Sequence, residues 1–194
     1  MEGDGELSAI PHLFRRLRHA YAPGVITSVK DIVPLPSGSI RKTEDLTRAL
    51  ELQSRRIGRS ARFFVLFDGD HKHTDGSYDC PKVIGPGLLS DISAGHSDLR
   101  VSVVLAKYEY EAWFLAAQDS LVGCGLLAQR AIQDPTRCEE YRGAKELIRM
   151  ADGRRYKPTL NQAELTQAFD LDAAFRYSRS FRKIVSDYRR LVNM

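Results

Sequence analysis

Apolar residues recur along the chain at two periods. Leu7, Ile10, Leu13, Phe14, Leu17 and Tyr21 fall three or four positions apart, with Arg15, Arg16, Arg18 and His19 mostly between them, so residues 6–21 read as an amphipathic helix. Pro23 and Gly24 end it. Residues 25–33 are rich in β-branched side chains and predict a strand that closes before Pro34, Pro36 and Gly38. A second helix is expected over 43–56, capped by Thr43, with Glu44 and Asp45 in its first turn at the positive end of the helix dipole.

The run 61–67 is apolar at every position except Arg62, as expected of a strand covered on both faces of a parallel sheet. It delivers the chain to Asp68. Beyond a polar loop, residues 83–92 read as a helix and 100–106 as another near-continuous strand. Residues 110–121 read as a helix with Tyr110, Trp113, Phe114, Ala117 and Leu121 facing inward. Helix and strand thus alternate over the first two thirds, which argues for an α/β fold with a parallel sheet flanked by helices.

The last third reads as helical. Tyr141, Ala144, Ile148 and Ala151 mark one stripe, ended at Asp152 and Gly153. Thr159 and Gln162 form a capping-box signature for the next helix. Phe181, Ile184, Val185, Tyr188, Leu191 and Val192 mark a terminal amphipathic helix. The pattern divides the chain into an α/β domain over 1–125 and a helical extension packed on it over 126–194.

Composition narrows the class of protein. At 194 residues, 43% hydrophobic and 28% charged, the chain has material for one good core. It contains no apolar run of membrane-spanning length, and its start, MEGDGELSAI, is acidic where a secretory signal is basic. A cytoplasmic protein is expected. Cys80, Cys124 and Cys138 have no CxxC spacing, so neither a disulfide framework nor a zinc knuckle follows from them. The net charge of +4 is unevenly placed: residues 154–194 hold nine Lys/Arg against four Asp/Glu. A basic segment beside an acidic centre suits a polyanion held against a metal, although a solvated helix face has the same charge pattern.

The candidate chemistry lies in the carboxylates. Ligands of open parallel sheets bind at the carboxyl ends of the strands. Asp68 and Asp70 sit at that edge, and residues two apart in extended chain project to the same side. Hard oxygen donors of this kind favour Mg²⁺ or Mn²⁺ over zinc. Glu109 and Glu111 follow the last strand at the same edge. A glutamate in the first turn of a helix is also an ordinary dipole partner. The insert HKHTDGSY at 71–78, with Cys80, matches no standard zinc spacing, and His73 stands where an EF-hand starting at Asp68 needs glycine. A flexible surface loop is expected there.

Taken with EGDGE at 2–6, FDGD at 67–70, DCP at 79–81, YEYEAWFLA at 108–116, YKPTLNQAELTQAFDL at 156–171 and SRSFRKIV at 178–185, the chain resembles the bacterial, Toprim-like domain-of-unknown-function family 4276. It is more distantly similar to the nuclease domain of overcoming-lysogenization-defect proteins. The resemblance spans nearly the whole chain. It implies a Toprim-like fold in which Glu2 is the Toprim glutamate, as ligand or general base, Asp68 and Asp70 are the metal-binding pair, and Glu111 is a further acid. It also implies Mg²⁺- or Mn²⁺-dependent phosphodiester hydrolysis of DNA or RNA with water as nucleophile, and a place beside a separately encoded ATPase in a phage-defence-type system. Lys157, Arg179 and Lys183 lie in the matched C-terminal segments and, with Lys145, are the candidate phosphate contacts.

A non-catalytic nucleic-acid- or partner-binding subunit is the competing reading. In Toprim domains an apolar strand precedes the glutamate, and here only Met1 does. The expectation is either an upstream start, which is favoured, or a sheet one strand short.

Overall fold

In the computed structural model the described residues are 4–25, 29, 31–58 and 60–193, with the side chain of Asp4 left aside. The first apolar stripe forms α1 (Asp4–Tyr21), followed by a short α2 (Ser37–Ile40) and α3 (Thr43–Ile57). The central apolar runs form β1 (Arg62–Asp68) and β2 (Arg100–Ala106), joined through α4 (Pro81–Gly95). After β2 come α5 (Ala112–Ala116), α6 (Gln118–Gly123), a 3₁₀ turn (Pro135–Glu140), α7 (Ala144–Leu147), α8 (Pro158–Ala168), α9 (Leu171–Tyr177) and α10 (Arg179–Val192). No helix among the described residues is long and apolar enough to cross a membrane.

β1 and β2 pair in parallel, in register from Arg62 with Arg100 to Asp68 with Ala106. Their side chains alternate between two cores, as the pleat requires. Leu66, Val104 and Ala106 face a large cluster built with α1, α5, α8 and α10. Val65, Phe67, Val101, Val103 and Leu105 face a smaller one, closed by Leu46 and Leu50 of α3 and Leu88 and Ile92 of α4. Helices therefore cover both faces, as the unbroken apolar character of the strands requires. The segment past residue 125 shares the larger core through Cys138, Ile148, Phe169 and Phe181.

Several elements differ from the sequence pattern. Of the strand expected over 25–33, Val25, Val29 and residues 31–33 are not in a strand, and 26–28 and 30 lie outside the described residues. Among the described residues the sheet has two strands. Thr43 is the first residue of α3 and not its cap, and its hydroxyl donates to Asp91 at 3.1 Å. The helix expected over 110–121 divides at Ala117. There the buried Gln118 amide accepts from the N–H groups of Ala131 and Ile132 and donates to the Ile132 carbonyl at 2.7 Å.

The stripe over 141–151 is not one helix. Gly143 is left-handed, with φ +66°, and the backbone of 149–151 bonds to Ala128 and Leu126 instead of to its own preceding turn. The Thr159–Gln162 capping box does not form. Lys157 caps α8, with its N–H donating to the Asn161 side chain at 3.0 Å, while Gln162 turns inward. The insert is ordered by an antiparallel bridge between Lys72 and Tyr78, with a turn closed by Asp75 and Ser77.

Candidate functional site

The two strands end side by side, and the segment leaving each is shaped by the other. The Gly69 N–H donates to the Ala106 carbonyl at 2.9 Å, extending the ladder one step past Asp68. A Cβ at Gly69 would stand 3.0 Å from that same oxygen and 3.5 Å from the Tyr108 nitrogen. Only glycine fits this approach without displacing backbone.

On the β2 side the chain reverses sharply. Glu109 N–H donates to the Lys107 carbonyl at 3.0 Å, with Tyr108 between them at φ +63°. That is the form of a γ-turn, a strained conformation for a bulky residue. The reversal directs the next residues back toward β1, and the Tyr110 N–H donates to Asp68 Oδ1 at 3.0 Å.

Acidic groups gather around this crossing. Glu109 and Glu111 are buried, Asp68 is half-buried and Asp70 is exposed. Glu6, in the first turn of α1, adds its charge from the other side: it acts on Asp68, Glu111 and Tyr156. Burial, then the charges of Glu111, Glu6, Asp70 and Glu109, hold the Asp68 carboxyl well above the usual carboxylate range. Burial likewise pushes Glu111 up to about 7, with Glu109 and Glu6 adding to the rise and the nearby Tyr156 phenol opposing it. The Tyr156 hydroxyl itself is buried, in a residue 6% exposed, and has no partner at hydrogen-bond geometry.

Two neighbouring acids are already engaged. Lys145 Nζ stands 3.0 Å from Glu109 Oε1. Asp79 is fully buried between Arg41 Nε at 2.7 Å and His73 Nε2 at 3.1 Å, and Arg41 also donates to the Asp68 carbonyl at 2.7 Å. Asp79 thus pins the insert and the end of β1 together.

The expected site residues are distributed unevenly. Asp68 and Glu111 are close enough for the charge of Glu111 to raise the proton affinity of Asp68, and Asp70 lies at the rim. Glu2 lies outside the described residues. Among the described residues no three His, Cys, Asp or Glu side chains converge as a ligand set.

Of the basic candidates, Lys145 borders the acids. Lys157 is exposed and follows Tyr156 directly, and Arg179 is exposed at the first position of α10. Lys183 is paired with the buried Asp187 at 2.6 Å, and Asp187 also accepts from the Ser102 hydroxyl. Ser102 is four residues before the end of β2, so this pair is about 13 Å back from the carboxyl edge at about 3.3 Å per residue.

Glu109 lies with Glu111 at the strand edge that the sequence pattern marks, whereas Glu6 and Tyr156, in the segments EGDGE and YKPTLNQAELTQAFDL, are given no role there by that pattern.

At the opening of this acidic crossing lies an aromatic and cationic group. Tyr78 of the insert and Tyr108 meet edge to face, with centroids 6.0 Å apart. The Arg142 guanidinium lies 3.6 Å over the Tyr78 ring and 5.0 Å from the centre of Tyr108, and Lys107 Nζ lies 4.0 Å over Tyr108. Arg142, and then Lys107, beside the Tyr108 oxygen bring the pKa of that phenol below its ordinary value.

A protein-family model described as Domain of unknown function (DUF4276) matches residues 1–187, and the chain belongs to that family. None of the curated proteins or solved structures compared with it gives a match.

Proposed function

We propose that this member of the DUF4276 family binds Mg²⁺ or Mn²⁺ between Asp68 and Glu111 and hydrolyses phosphodiester bonds in nucleic acid. The observation that carries the reading is the crossing of the strand ends, where the Tyr110 N–H bond to Asp68 Oδ1 turns the segment with the buried Glu111 back toward the end of β1, and where burial and neighbouring charge raise both carboxyls above their usual range. Such a pair is relieved either by a proton or by a cation.

The donor set fits a hydrated Mg²⁺ or Mn²⁺ better than a fully protein-bound ion. Magnesium commonly keeps several waters and takes only one or two carboxylates, which Asp68 and Glu111 supply. The buried Tyr156 hydroxyl beside Glu111 is a further oxygen able to bond a water of that shell. Asp68 and Glu111 would hold the ion, with Asp70 reaching it through water.

The cation, when bound, would neutralise phosphate charge and activate water. The chain's own groups do the rest. Tyr110 N–H holds the Asp68 carboxylate in one orientation. Glu111, whose carboxyl burial raises to about 7 in the metal-free chain, gives up its proton when it takes the cation. The Lys145–Glu109 pair offsets one of the acids and sets a cation beside incoming phosphate. Kinship with Toprim nucleases, a cytoplasmic location and a defence-type setting belong to the same reading. The sequence carries no GxxxxGK[ST] motif, so any ATP-driven step would come from a separate ATPase chain.

A non-catalytic binding subunit is the second reading. It is favoured by the engagement of Asp68 with Tyr110 N–H and of Glu109 with Lys145, which leaves fewer free donors. Manganese-dependent cleavage of a plasmid and of single-stranded oligonucleotides separates the two. Cleavage by the native chain that Asp68→Asn abolishes supports the nuclease. Cleavage that survives Asp68→Asn overturns the site, and nucleic-acid binding without cleavage selects the binding subunit.

A further inference from the structure

Resting on the reading of the acidic edge as a phosphodiester site, we propose that Tyr78, Tyr108 and Arg142 form a stacking platform for an unpaired base of single-stranded nucleic acid, with Lys107 on the adjoining phosphate. The platform would select single strands and set the register of the strand across the acids.

Three observations point there. The first is position. Tyr108 is one residue from Glu109 and three from Glu111, and its own backbone packs against Gly69 between the two aspartates. A base held on Tyr108 would put the neighbouring phosphate at the acidic crossing.

The second is chemistry. Tyr78 and Tyr108 are half-buried, and Arg142 is exposed. Among the described residues neither Arg142 nor Lys107 is shown paired with a carboxylate; both lie over tyrosine rings. A guanidinium stacked at 3.6 Å on Tyr78 extends that ring into a larger planar, positively charged surface. Rings and guanidinium planes of this kind hold unstacked bases, and a base in a duplex does not present its face to them.

The third is strain. Tyr108 adopts φ +63°, in a region that glycine occupies far more readily. Conformations of this kind cluster at functional sites, where the surroundings maintain them. The turn is held in this form by the groups that close on its ring, Tyr78, Arg142 and Lys107.

The alternative use is mechanical: the two rings fasten the insert to the end of β2. Binding to defined oligonucleotides distinguishes the two, because a fastener is indifferent to bases. Fluorescence anisotropy in EDTA would be measured with labelled oligothymidylate, oligouridylate, a strand of the same length with abasic positions, and a duplex.

The native chain should bind either base-bearing strand at least about tenfold more tightly than the abasic strand or the duplex. Tyr108→Phe should keep that preference. Tyr108→Leu and Arg142→Ala should weaken binding to the base-bearing strands about tenfold while leaving the abasic strand nearly unchanged. Circular dichroism would confirm that each variant is folded, and Tyr108→Gly, which relaxes the turn, removes the ring without backbone strain.

Equal affinity for base-bearing and abasic strands, or Tyr108→Leu and Tyr108→Gly binding like the native chain, overturns the platform. Manganese-dependent cleavage measured on the same strands keeps the two ideas apart. Cleavage that persists with no preference for bases defeats the platform alone, whereas loss of binding and cleavage to every strand by the native chain defeats both.

Discussion

Asp68 Oδ1 accepts the Tyr110 backbone N–H at 3.0 Å across 42 residues of sequence. The bond joins the end of β1 to the turn after β2, so the geometry of the acidic edge depends on the same carboxylate that is proposed to hold the cation. Its acceptor role and its charge are separable. Asp68→Asn keeps an oxygen for Tyr110 and removes the charge, whereas Asp68→Leu removes both. In the metal-free protein, Asp68→Asn should be as stable as the native chain or more so, and Asp68→Leu less stable by about 1–2 kcal/mol. Urea denaturation of the three proteins would check this; an Asp68→Asn variant as weak as Asp68→Leu would mean that the charge is no burden to the fold.

Glu111 gives the metal-free protein a characteristic pH dependence. Its carboxyl titrates near 4.5 when unfolded and is pushed up to about 7 by burial when folded. Between those values the folded state binds more protons than the unfolded state, so stability falls as pH rises through this window. Asp68, raised in the same direction, adds to the fall. The loss attributable to Glu111 is up to about 3 kcal/mol. Glu111→Gln should flatten it, and Mn²⁺ should restore stability at the alkaline end, because the ion replaces the proton. Melting curves from about pH 4.5 to about pH 8, with EDTA and with manganese, test each part. A metal-free stability that rises over this range would contradict the assignment.

Lys145 and Lys183 should behave differently despite their similar origin as phosphate candidates. Lys145 pairs with Glu109 at the acidic edge, whereas Lys183 holds the buried Asp187 on the sheet face. Lys145→Ala should weaken nucleic-acid binding and reduce its salt slope by about one, and should also cost about 1–3 kcal/mol of stability, since the buried Glu109 loses its cation. Lys183→Ala should leave binding nearly unchanged and cost about 1–3 kcal/mol of stability, since Asp187 loses its near cation. Salt-dependent anisotropy and denaturation of both variants would show the division. A reduced salt slope for Lys183→Ala would return it to the phosphate contacts.

Much of this architecture is legible in the chain because it rests on local pattern. The apolar runs before Asp68 and Lys107 define β1 and β2, and the stripes of α1, α3 and α10 recur at helical spacing because one face of each must leave water. From the strand ends alone, Asp68, Asp70, Glu109 and Glu111 fall on one edge of a parallel sheet.

The features that the sequence pattern left open depend on partners distant along the chain. Gln118 interrupts a helix because its amide serves Ala131 and Ile132, and residues 149–151 leave helical form because Leu126 and Ala128 take their backbone bonds. Asp79 is engaged by Arg41, and Lys183 by Asp187, partners that no local pattern names. Glu6 and Tyr156 join Glu111 only when α1 and the segment before α8 close over the strand ends. Periodicity records which side of an element is buried and is silent on what it is buried against. The pKa of Glu111, the setting of Tyr108 and the identity of each ion pair are properties of that second choice, made by packing and desolvation in the folded chain.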